Sequence, residues 1–333
     1  MNHPKPCKIH RNSASRLGWG AALLLLCLAW LFTGCSGEVY HPDGGELTLG
    51  GGDGASTGEV LEIPAEDPFE GAPHVLRAEF LQTGKSDAIL IRADGVVILV
   101  DTGEAADSAA ISTALAERGI TVIHHMILTH FDNDHIGSAA EILQDLTVEA
   151  VYMPDYVRDS ALYRRLTAAL EGSAGTAVHR LTETMTLSIP NGELRIHPTR
   201  LYEAGLTLGS DDSHAAEENN YSLITELTFG ERRLLLMGDA EQDRLVEFLA
   251  DAEGNLAYDL IKIPHHGSYD KALGDLLRAC GGLRYCVVHA ASPSEVEAKL
   301  VTAMRSVGAA AYFTYNGTVS FATDGVNMVL NQG

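Results

Sequence analysis

Basic side chains are scarce in this sequence. Its 333 residues include 23 lysines and arginines against 45 acidic residues, which gives a formal net charge of −22. Four of the basic residues stand within residues 1–37, which contain no Asp or Glu, so the rest of the chain carries a net charge of −26. A body this acidic is a poor general binder of polyanions. Any chemistry on phosphate must therefore come from a local site.

Long apolar runs are missing as well, which excludes a protein with several membrane spans. The run at residues 21–32 is shorter than the roughly 20 residues of a transmembrane helix. It follows a basic stretch and has the length of a signal-peptide core. The sequence Phe32-Thr33-Gly34-Cys35 resembles a bacterial lipobox, although Phe32 replaces the usual aliphatic residue. We therefore predict an extracytoplasmic protein anchored to a bacterial membrane by a lipid on Cys35; an ordinary signal peptide or a short anchor is the alternative.

Cysteine is too rare for a disulfide framework. Of five cysteines, Cys7 and Cys27 would leave with the signal peptide and Cys35 would carry the lipid. Cys280 and Cys286 remain, and neither stands in a CxxC or Cys/His metal-binding pattern. Two outcomes stay open for them: a disulfide in an oxidising compartment, or two buried thiols.

The chain divides into three predicted parts. Residues 1–35 form the lipoprotein signal peptide and lipobox. Residues 36–73 are rich in glycine and acidic residues without periodicity, which predicts a disordered tether. Residues 74–333 alternate short branched-aliphatic runs with helical patterns. Paired strands mixed with helical crossovers predict an α/β sandwich with two mixed β-sheets.

Four candidate metal ligands fall within six residues after a buried strand. They are His130, Asp132, Asp134 and His135, and a helix is predicted to begin near Ile136. Imidazole and carboxylate groups suit zinc or manganese. On an extended loop His130 and Asp132 point the same way, which leaves Asp134 and His135 to face a second ion. The positive end of the helix dipole favours an anionic substrate at the same place.

This HxDxDH pattern resembles the HxHxDH signature of the metallo-β-lactamase fold, and in particular the C-terminal hydrolase domain of ComEC-type competence (DNA-uptake) proteins. The other motifs of that domain follow in order over about residues 74–325: GKSDAILI at residues 84–91, Asp101-Thr102-Gly103, Asn219-Asn220-Tyr221-Ser222-Leu223, Gly238-Asp239, Pro264-His265-His266-Gly267-Ser268 and Asp324-Gly325. The resemblance implies an αββα sandwich with two mixed β-sheets. It also implies two divalent metal ions, with Zn²⁺ as the first choice and Mn²⁺ as the second.

The resemblance assigns metal ligands residue by residue. They are His130, Asp132, Asp134, His135, Asn219, Asp239 and His266. Asp239 would bridge the two ions. For the third ligand of the first ion, Asn219 is the first choice and His214 is the alternative. Adjacent residues on an extended segment face opposite ways, so we predict His266 as the ligand and His265 as a substrate-binding group or general acid.

Further residues are predicted to support this site. Asp101 should orient ligands rather than bind metal. Asp87 would either reach the metal shell or be a turn carboxylate. His289 stands where the family has a "GHP"-type histidine, and is either its replacement or a structural histidine at a strand end. Asn220 and Ser222 belong to the "NNxSL" motif. The acidic residues nearby are predicted to form a solvated loop at the rim of the site: Asp211, Asp212, Glu217 and Glu218.

The resemblance implies a binuclear hydrolase that uses a metal-bound hydroxide. Phosphodiester hydrolysis is the leading hypothesis, with Asp134 orienting the hydroxide and His265 protonating the leaving oxygen. The expected substrates are phosphodiesters or other small anions. DNA is a further candidate, although the acidic body argues against a long basic groove. Two alternatives stay open: a lactonase-like ester or amide hydrolase, and a non-catalytic metal-binding lipoprotein. Asp132 in place of the middle histidine argues against a true β-lactamase.

Overall fold

Strands and helices alternate along the chain, as the sequence pattern predicts. The computed structural model describes residues 67–202, 205–209, 218–252 and 256–333. The strands there are β1 (Leu76–Phe80), β2 (Ile89–Ala93), β3 (Val96–Val100), β4 (Val122–Ile127), β5 (Thr147–Pro154), β6 (Tyr156–Arg158), β7 (Ala177–Leu181), β8 (Met185–Ile189), β9 (Gly192–His197), β10 (Leu206–Leu208), β11 (Ile224–Phe229), β12 (Arg232–Leu236), β13 (Leu260–Lys262), β14 (Tyr285–Val288), β15 (Ala310–Phe313), β16 (Val319–Thr323) and β17 (Met328–Gln332). The α-helices used below are α1 (Ser108–Glu117), α2 (Asn133–Ile136), α3 (Ala139–Asp145), α4 (Ala161–Gly172), α5 (Gln242–Asp251), α6 (Lys271–Ala279) and α7 (Ala298–Ser306).

The strands form two large sheets, and each mixes parallel and antiparallel pairs. The first has the order β17-β16-β1-β2-β3-β4-β5-β7, and its last four strands run parallel. The second has the order β15-β14-β13-β12-β11-β9-β8, with β12 to β15 parallel. The remaining strands, β6 and β10, form a separate parallel pair. Parallel neighbours need crossover connections, which the helices supply.

Three apolar layers hold the two sheets and their helices together. Alternate residues of both sheets meet in the middle layer, among them Phe80, Leu194, Phe229 and Phe321. The outer face of the first sheet packs against α1, α3 and α4 through residues such as Ile111, Leu143 and Leu166. The outer face of the second sheet packs against α5, α6 and α7 through residues such as Leu245, Leu276 and Leu300. The predicted αββα sandwich with two mixed sheets is therefore confirmed.

The predicted site residues lie just beyond the carboxyl ends of the parallel strands. Asp101 follows β3 and His130 follows β4 in the first sheet. In the second sheet, Asp239 follows β12 and His265 follows β13. The carboxyl ends of neighbouring parallel strands lie at one edge of a sheet, so loops from both sheets can meet there.

Gly137 allows the segment after the HxDxDH motif to pack closely on the loop that follows β3. Its amide donates a hydrogen bond to the carbonyl oxygen of Gly103 at 2.7 Å, and a Cβ atom at residue 137 would lie 2.3 Å from the backbone nitrogen of Ala105. Backbone atoms cannot rotate away as a side chain can. We expect Gly137→Ala to lower the free energy of unfolding by about 1–3 kcal/mol or more, measured by urea titration.

Gly172→Ala is the matched control for that substitution. A Cβ atom there meets no atom within 4 Å. The added methyl group should leave stability unchanged or raise it by about 0.4–1 kcal/mol, because it restricts the unfolded chain. Equal stability changes for the two variants would contradict the packing argument.

Some sequence-based predictions fall outside or at the margin of this description. The lipobox and residues 36–66 of the predicted tether lie outside the described residues, and both stay predictions. Residues 67–73, which were also assigned to the tether, are described: the amide of Glu70 donates to the carbonyl oxygen of Asp67 at 3.0 Å, and Phe69 is buried. Cys280 and Cys286 are free thiols, but only Cys286 is buried and Cys280 is half-buried, so the second of the two outcomes left open holds in part. Within the described ranges, no helix is both long enough and apolar enough to cross a membrane.

Candidate metal centre

Four of the predicted ligands converge on one point. Asp134, His135, Asp239 and His266 each place one ligand atom within 4.8 Å of the others. The Nε2 atom of His266 lies 3.1 Å from Oδ2 of Asp134 and 3.0 Å from Oδ2 of Asp239. The Nε2 atom of His135 lies 3.3 Å from the other oxygen of Asp239. The carboxylate of Asp239 thus faces both imidazoles, as a shared ligand would.

The residues of this cluster fit a divalent cation. The side-chain atoms Nε2 of His135, Nε2 of His266 and Oδ1 of Asp239 are buried and, within the described part of the chain, have no hydrogen-bond partner. Buried polar atoms in proteins are almost always paired, so three such atoms aimed at one point need an explanation. A bound ion supplies it, because two imidazoles and two carboxylates are a common ligand set for Zn²⁺, Mn²⁺ or Fe²⁺.

When no ion is bound, protons on the histidines offset the negative charge of the carboxylates in this cluster. Burial alone would raise the pKa values of Asp134 and Asp239, but the close approach and charge of the two histidines outweigh it and hold both pKa values well below the usual range. Burial would also lower the pKa of His266, yet Asp239 and Asp134 raise it to about 9. A divalent ion would therefore displace protons from the imidazoles as it binds.

The first two ligands of the cluster lie in a helical turn. Helix α2 begins at Asn133, with Asp132 as its N-cap, so Asp134 and His135 are already helical. The prediction that the helix begins near Ile136 was wrong by three residues. The physical reason is that the amide of His135 donates to the carbonyl oxygen of Asp132 at 3.1 Å, which closes a turn inside the motif.

The two late histidines face different groups. His266 is buried and points at the cluster, whereas the side chain of His265 is 31% exposed and its Nδ1 lies 3.0 Å from Oε1 of Glu241. The placement agrees with the prediction, but the reason given for it was wrong. Both residues have positive φ angles, 46° and 52°, so the segment is a tight turn and not an extended strand.

Asp101 supports the cluster from behind. Its carboxylate accepts hydrogen bonds from the backbone amide of Thr129 at 2.8 Å and from the Thr129 hydroxyl at 2.7 Å. Its Oδ2 lies 2.8 Å from Nδ1 of His135, the nitrogen opposite the one that faces the cluster. A carboxylate at that position fixes the orientation of a ligand imidazole, which is the role predicted for Asp101.

Asp87 is a deeply buried carboxylate and not a turn residue at the surface. It forms an ion pair with Lys262, which is also fully buried. Its Oδ1 lies 3.2 Å from Nδ1 of His289, so His289 also lies behind the cluster. Sequence reasoning missed Lys262 because it stands inside the apolar run 260–263. A single charge within a buried strand next to the "HHG" motif was the available signal.

The ligand set predicted for the first ion is less complete. The Nε2 atom of His130 lies 3.7 Å from Oδ2 of Asp132, and its Nδ1 lies 3.4 Å from Oγ of Ser222. Among the described residues, no group of three or more His, Cys, Asp or Glu ligand atoms within 4.8 Å includes either residue. The Oδ1 atom of Asn219 is buried and, among the described residues, has no hydrogen-bond partner, while its Nδ2 donates to Glu241 at 3.0 Å. The assignment of Asn219 as the third ligand stays a prediction.

Asn220 and Ser222, two further predicted site residues, hold loops of the site in place through hydrogen bonds. The side-chain oxygen of Asn220 accepts a hydrogen bond from the backbone amide of Arg244 at 3.1 Å, which fixes the loop before β11 onto α5. Ser222 accepts a hydrogen bond from the backbone amide of Asp239 at 3.1 Å, which connects the loop before β11 to the loop after β12. His214 lies outside the described residues, as do Asp211, Asp212 and Glu217.

Glu218 is not part of a solvated loop, and that prediction was wrong. Its side chain is fully buried, accepts a hydrogen bond from the hydroxyl of Tyr156 at 2.6 Å and pairs with Arg158. Burial and the nearby charge of Asp132 raise its pKa to about 7. The guanidinium of Arg158 also comes within 4.0 Å of Asp132. Strand β6, which the sequence did not reveal, carries both Tyr156 and Arg158 to this place.

Known proteins are similar to this chain to different extents. The family model described as the metallo-beta-lactamase superfamily matches residues 81–282. The chain is similar to ComE operon protein 3 of Bacillus subtilis (strain 168), with 30% identity over 155 residues. That match covers 46% of this chain but only 18% of the relative's length.

Solved structures resemble the chain more weakly. The metallo-beta-lactamase fold protein YhfI from Bacillus subtilis is 13% identical, with a TM-score of 0.47 over 78% of this chain and all of that one. CmlA, a diiron beta-hydroxylase from Streptomyces venezuelae, is 16% identical, with a TM-score of 0.45 over 71% of this chain and 52% of that one. The family model, in contrast, covers more than half of the chain and includes all four converging ligands. The protein therefore belongs to the metallo-beta-lactamase superfamily.

Proposed function

We propose that this protein is a metal-dependent phosphodiesterase. The observation that carries the proposal is the cluster of Asp134, His135, Asp239 and His266, in which three side chains are buried and one is partly exposed. The side chains of His135, Asp239 and His266 are at most 5% exposed, whereas that of Asp134 is 19% exposed. The side chains of Asp132 and His265 are 27% and 31% exposed. We infer that a substrate reaches the centre past these three partly exposed residues.

The chain's own residues would position water and substrate around a divalent ion. When bound, such an ion polarises a phosphoryl group and makes water acidic near neutral pH. Asp134 stands at the exposed side of the cluster, and its ionised carboxylate accepts a hydrogen bond from the attacking water and orients it towards phosphorus. Asp101 and Thr129 hold the ring of His135 behind the centre. The water oxygen would bond to phosphorus as the bond to the ester oxygen on the opposite side breaks; one proton of the water would pass to solvent, and the leaving oxygen would take a proton from His265.

His265 is the residue placed to assist the leaving group. Its Nδ1 lies 3.0 Å from Oε1 of Glu241, which leaves the other ring nitrogen for the substrate. A cavity of about 210 Å³ opens beside it, lined in part by Glu241, Tyr269 and Asp270. Donation of a proton from His265 to the leaving oxygen would contribute about 10²–10⁴-fold to the rate.

The carboxylate content of the site favours phosphate over carboxylic esters or lactams. Asp132, Asp134 and Asp239 give the site more oxygen ligands than a histidine-rich site has, and oxygen ligands suit harder ions such as Mn²⁺. Such ions in turn bind phosphate oxygens well.

A substrate panel tests this function. The purified protein, loaded with Mn²⁺ or Zn²⁺, is assayed on bis-p-nitrophenyl phosphate, single-stranded DNA, a lactone and nitrocefin. We expect turnover of the phosphodiester and none of the lactone or nitrocefin. Turnover of the lactone or nitrocefin alone would favour an ester or amide hydrolase. A metal-loaded protein that turns over none of the four would favour a binding protein.

We also propose that the protein is lipid-anchored outside the cytoplasm through Cys35. The basic stretch, the short apolar run and the lipobox-like residues that end at Cys35 support this. In fractionated bacterial cells, the unchanged protein should sediment with membranes, and Cys35→Ser should not carry a lipid. Cys280→Ser is the matched control and should stay with the membranes. A Cys35→Ser protein that still carries a lipid would refute the assignment.

A further inference from the structure

A buried lysine lies directly behind the metal centre. Lys262, the last residue of β13, has no exposed surface, and burying an ammonium group is costly unless it is paired. It forms an ion pair with Asp87, and its Nζ donates a hydrogen bond to the carbonyl oxygen of Gly238 at 2.9 Å. The same nitrogen lies 3.8 Å from Oδ1 of Asp239. Lys262 therefore holds the turn that carries one of the four ligands.

Asp87 extends this contact to the ligand histidines. Its Oδ1 lies 3.7 Å from Nδ1 of His266 and 3.2 Å from Nδ1 of His289, and its Oδ2 lies 3.9 Å from Nδ1 of His135. Its backbone amide also donates to the carbonyl oxygen of Asp134 at 3.0 Å. The carboxylate thus faces the sides of the imidazoles that point away from the centre. Carboxylates at such positions orient ligand histidines and strengthen metal binding.

We propose that Lys262 is a positioning residue of the metal centre. Together with Asp87 it fixes His266 and Asp239 in the orientation of ligands, and it touches neither metal nor substrate. An ammonium group has no lone pair to offer a cation, and Lys262 has no surface to offer a substrate. Its positive charge also offsets part of the carboxylate charge around the centre. The inference rests on the metal centre of the proposed function, but not on which substrate is hydrolysed.

The test removes both members of the buried pair. Loss of the ammonium alone would leave Asp87 as an unpaired buried charge and endanger folding. The full-length double variant Lys262→Met with Asp87→Asn removes both charges and keeps their volumes. Lys271→Met with Asp275→Asn is the matched control, because it removes an exposed ion pair on α6 by the same substitutions. Calorimetric titration with Mn²⁺ gives the dissociation constant of each protein, and thermal unfolding shows whether each is folded.

We expect the buried-pair variant to fold and to bind Mn²⁺ about 10–100-fold more weakly than the unchanged protein, while the control binds as the unchanged protein does. Equal affinity in a folded buried-pair variant would overturn the proposal. So would a variant that fails to fold even with saturating Mn²⁺, because the pair would then serve the fold as a whole. An unchanged protein that binds no Mn²⁺ would instead refute the metal centre itself.

Discussion

Asp239→Asn should reduce the turnover of bis-p-nitrophenyl phosphate by about a thousandfold or more. Its two carboxylate oxygens lie 3.3 Å and 3.0 Å from the facing nitrogens of His135 and His266, so one side chain serves both imidazoles. Asparagine has the same shape, but it carries no charge and replaces one ligand oxygen by an amide nitrogen. A thousandfold loss corresponds to about 4 kcal/mol of transition-state stabilisation, which is within what a metal ion contributes.

Folding should survive this substitution. The backbone amide of Asp239 keeps its hydrogen bond to Ser222, and Gly238 keeps its contact with Lys262. Asp243→Asn, which changes an exposed acid on the following helix, is the matched control and should retain full turnover. Steady-state kinetics with saturating Mn²⁺ measure both variants. A loss of tenfold or less in a folded Asp239→Asn protein would contradict a ligand role for this residue.

His266→Asn and His265→Asn should fail in different ways although the residues are neighbours. Asparagine is the suitable replacement because both positions have positive φ angles, which it tolerates better than most residues. His266 lies within about 3 Å of two ligand carboxylates, so its loss should remove bound metal and reduce turnover about a thousandfold. His265 contacts Glu241 at the exposed rim, so its loss should leave the metal in place and reduce turnover about a hundredfold.

Metal content and turnover measured on the same samples separate these two outcomes. Each variant serves as the control for the other, because both carry the same substitution in the same turn. A His265→Asn protein that loses its metal, or a His266→Asn protein that keeps it, would reverse the assignment of the two histidines.

The ligands of the cluster could be predicted in two steps. The dense pattern from His130 to His135 follows a predicted strand and by itself indicates a metal site. Asp239 and His266 were assigned by the resemblance to the metallo-β-lactamase fold. The alternation of apolar runs and helical patterns predicted an α/β sandwich with mixed sheets, and the resemblance supplied the αββα arrangement.

Lys262 and Arg158 were not predicted as supporting residues, because their partners are distant in sequence. Lys262 contacts Asp87, which lies 175 residues earlier in the chain, and Arg158 pairs with Glu218 across 60 residues. Local sequence identifies neither pairing, although Lys262 by itself stands out as a single charge within a buried strand. An acidic residue that follows other acidic residues, as Glu218 follows Glu217, is usually exposed to solvent. Here the side chain of Glu218 is buried because β6 lies against it.

Short edge elements were missed for a different reason. Among the described strands, β7 pairs with β5 alone at the margin of the first sheet, and four of its five residues are exposed or half-buried. Such a strand needs no apolar alternation, so its sequence resembles a loop. Strand β17 at the opposite margin is similar. The start of α2 was within reach, because an aspartate before a helix is a common N-cap and Asp132 occupies that position.

The most direct test of this account is a Mn²⁺ titration of the metal-free protein, with bound metal and phosphodiester turnover measured in the same samples. The account predicts that turnover of bis-p-nitrophenyl phosphate is absent without metal and rises as the centre formed by Asp134, His135, Asp239 and His266 fills. It also predicts that Asp239→Asn shows no such rise. Turnover that persists in the metal-free protein, or that rises equally in Asp239→Asn, would contradict it.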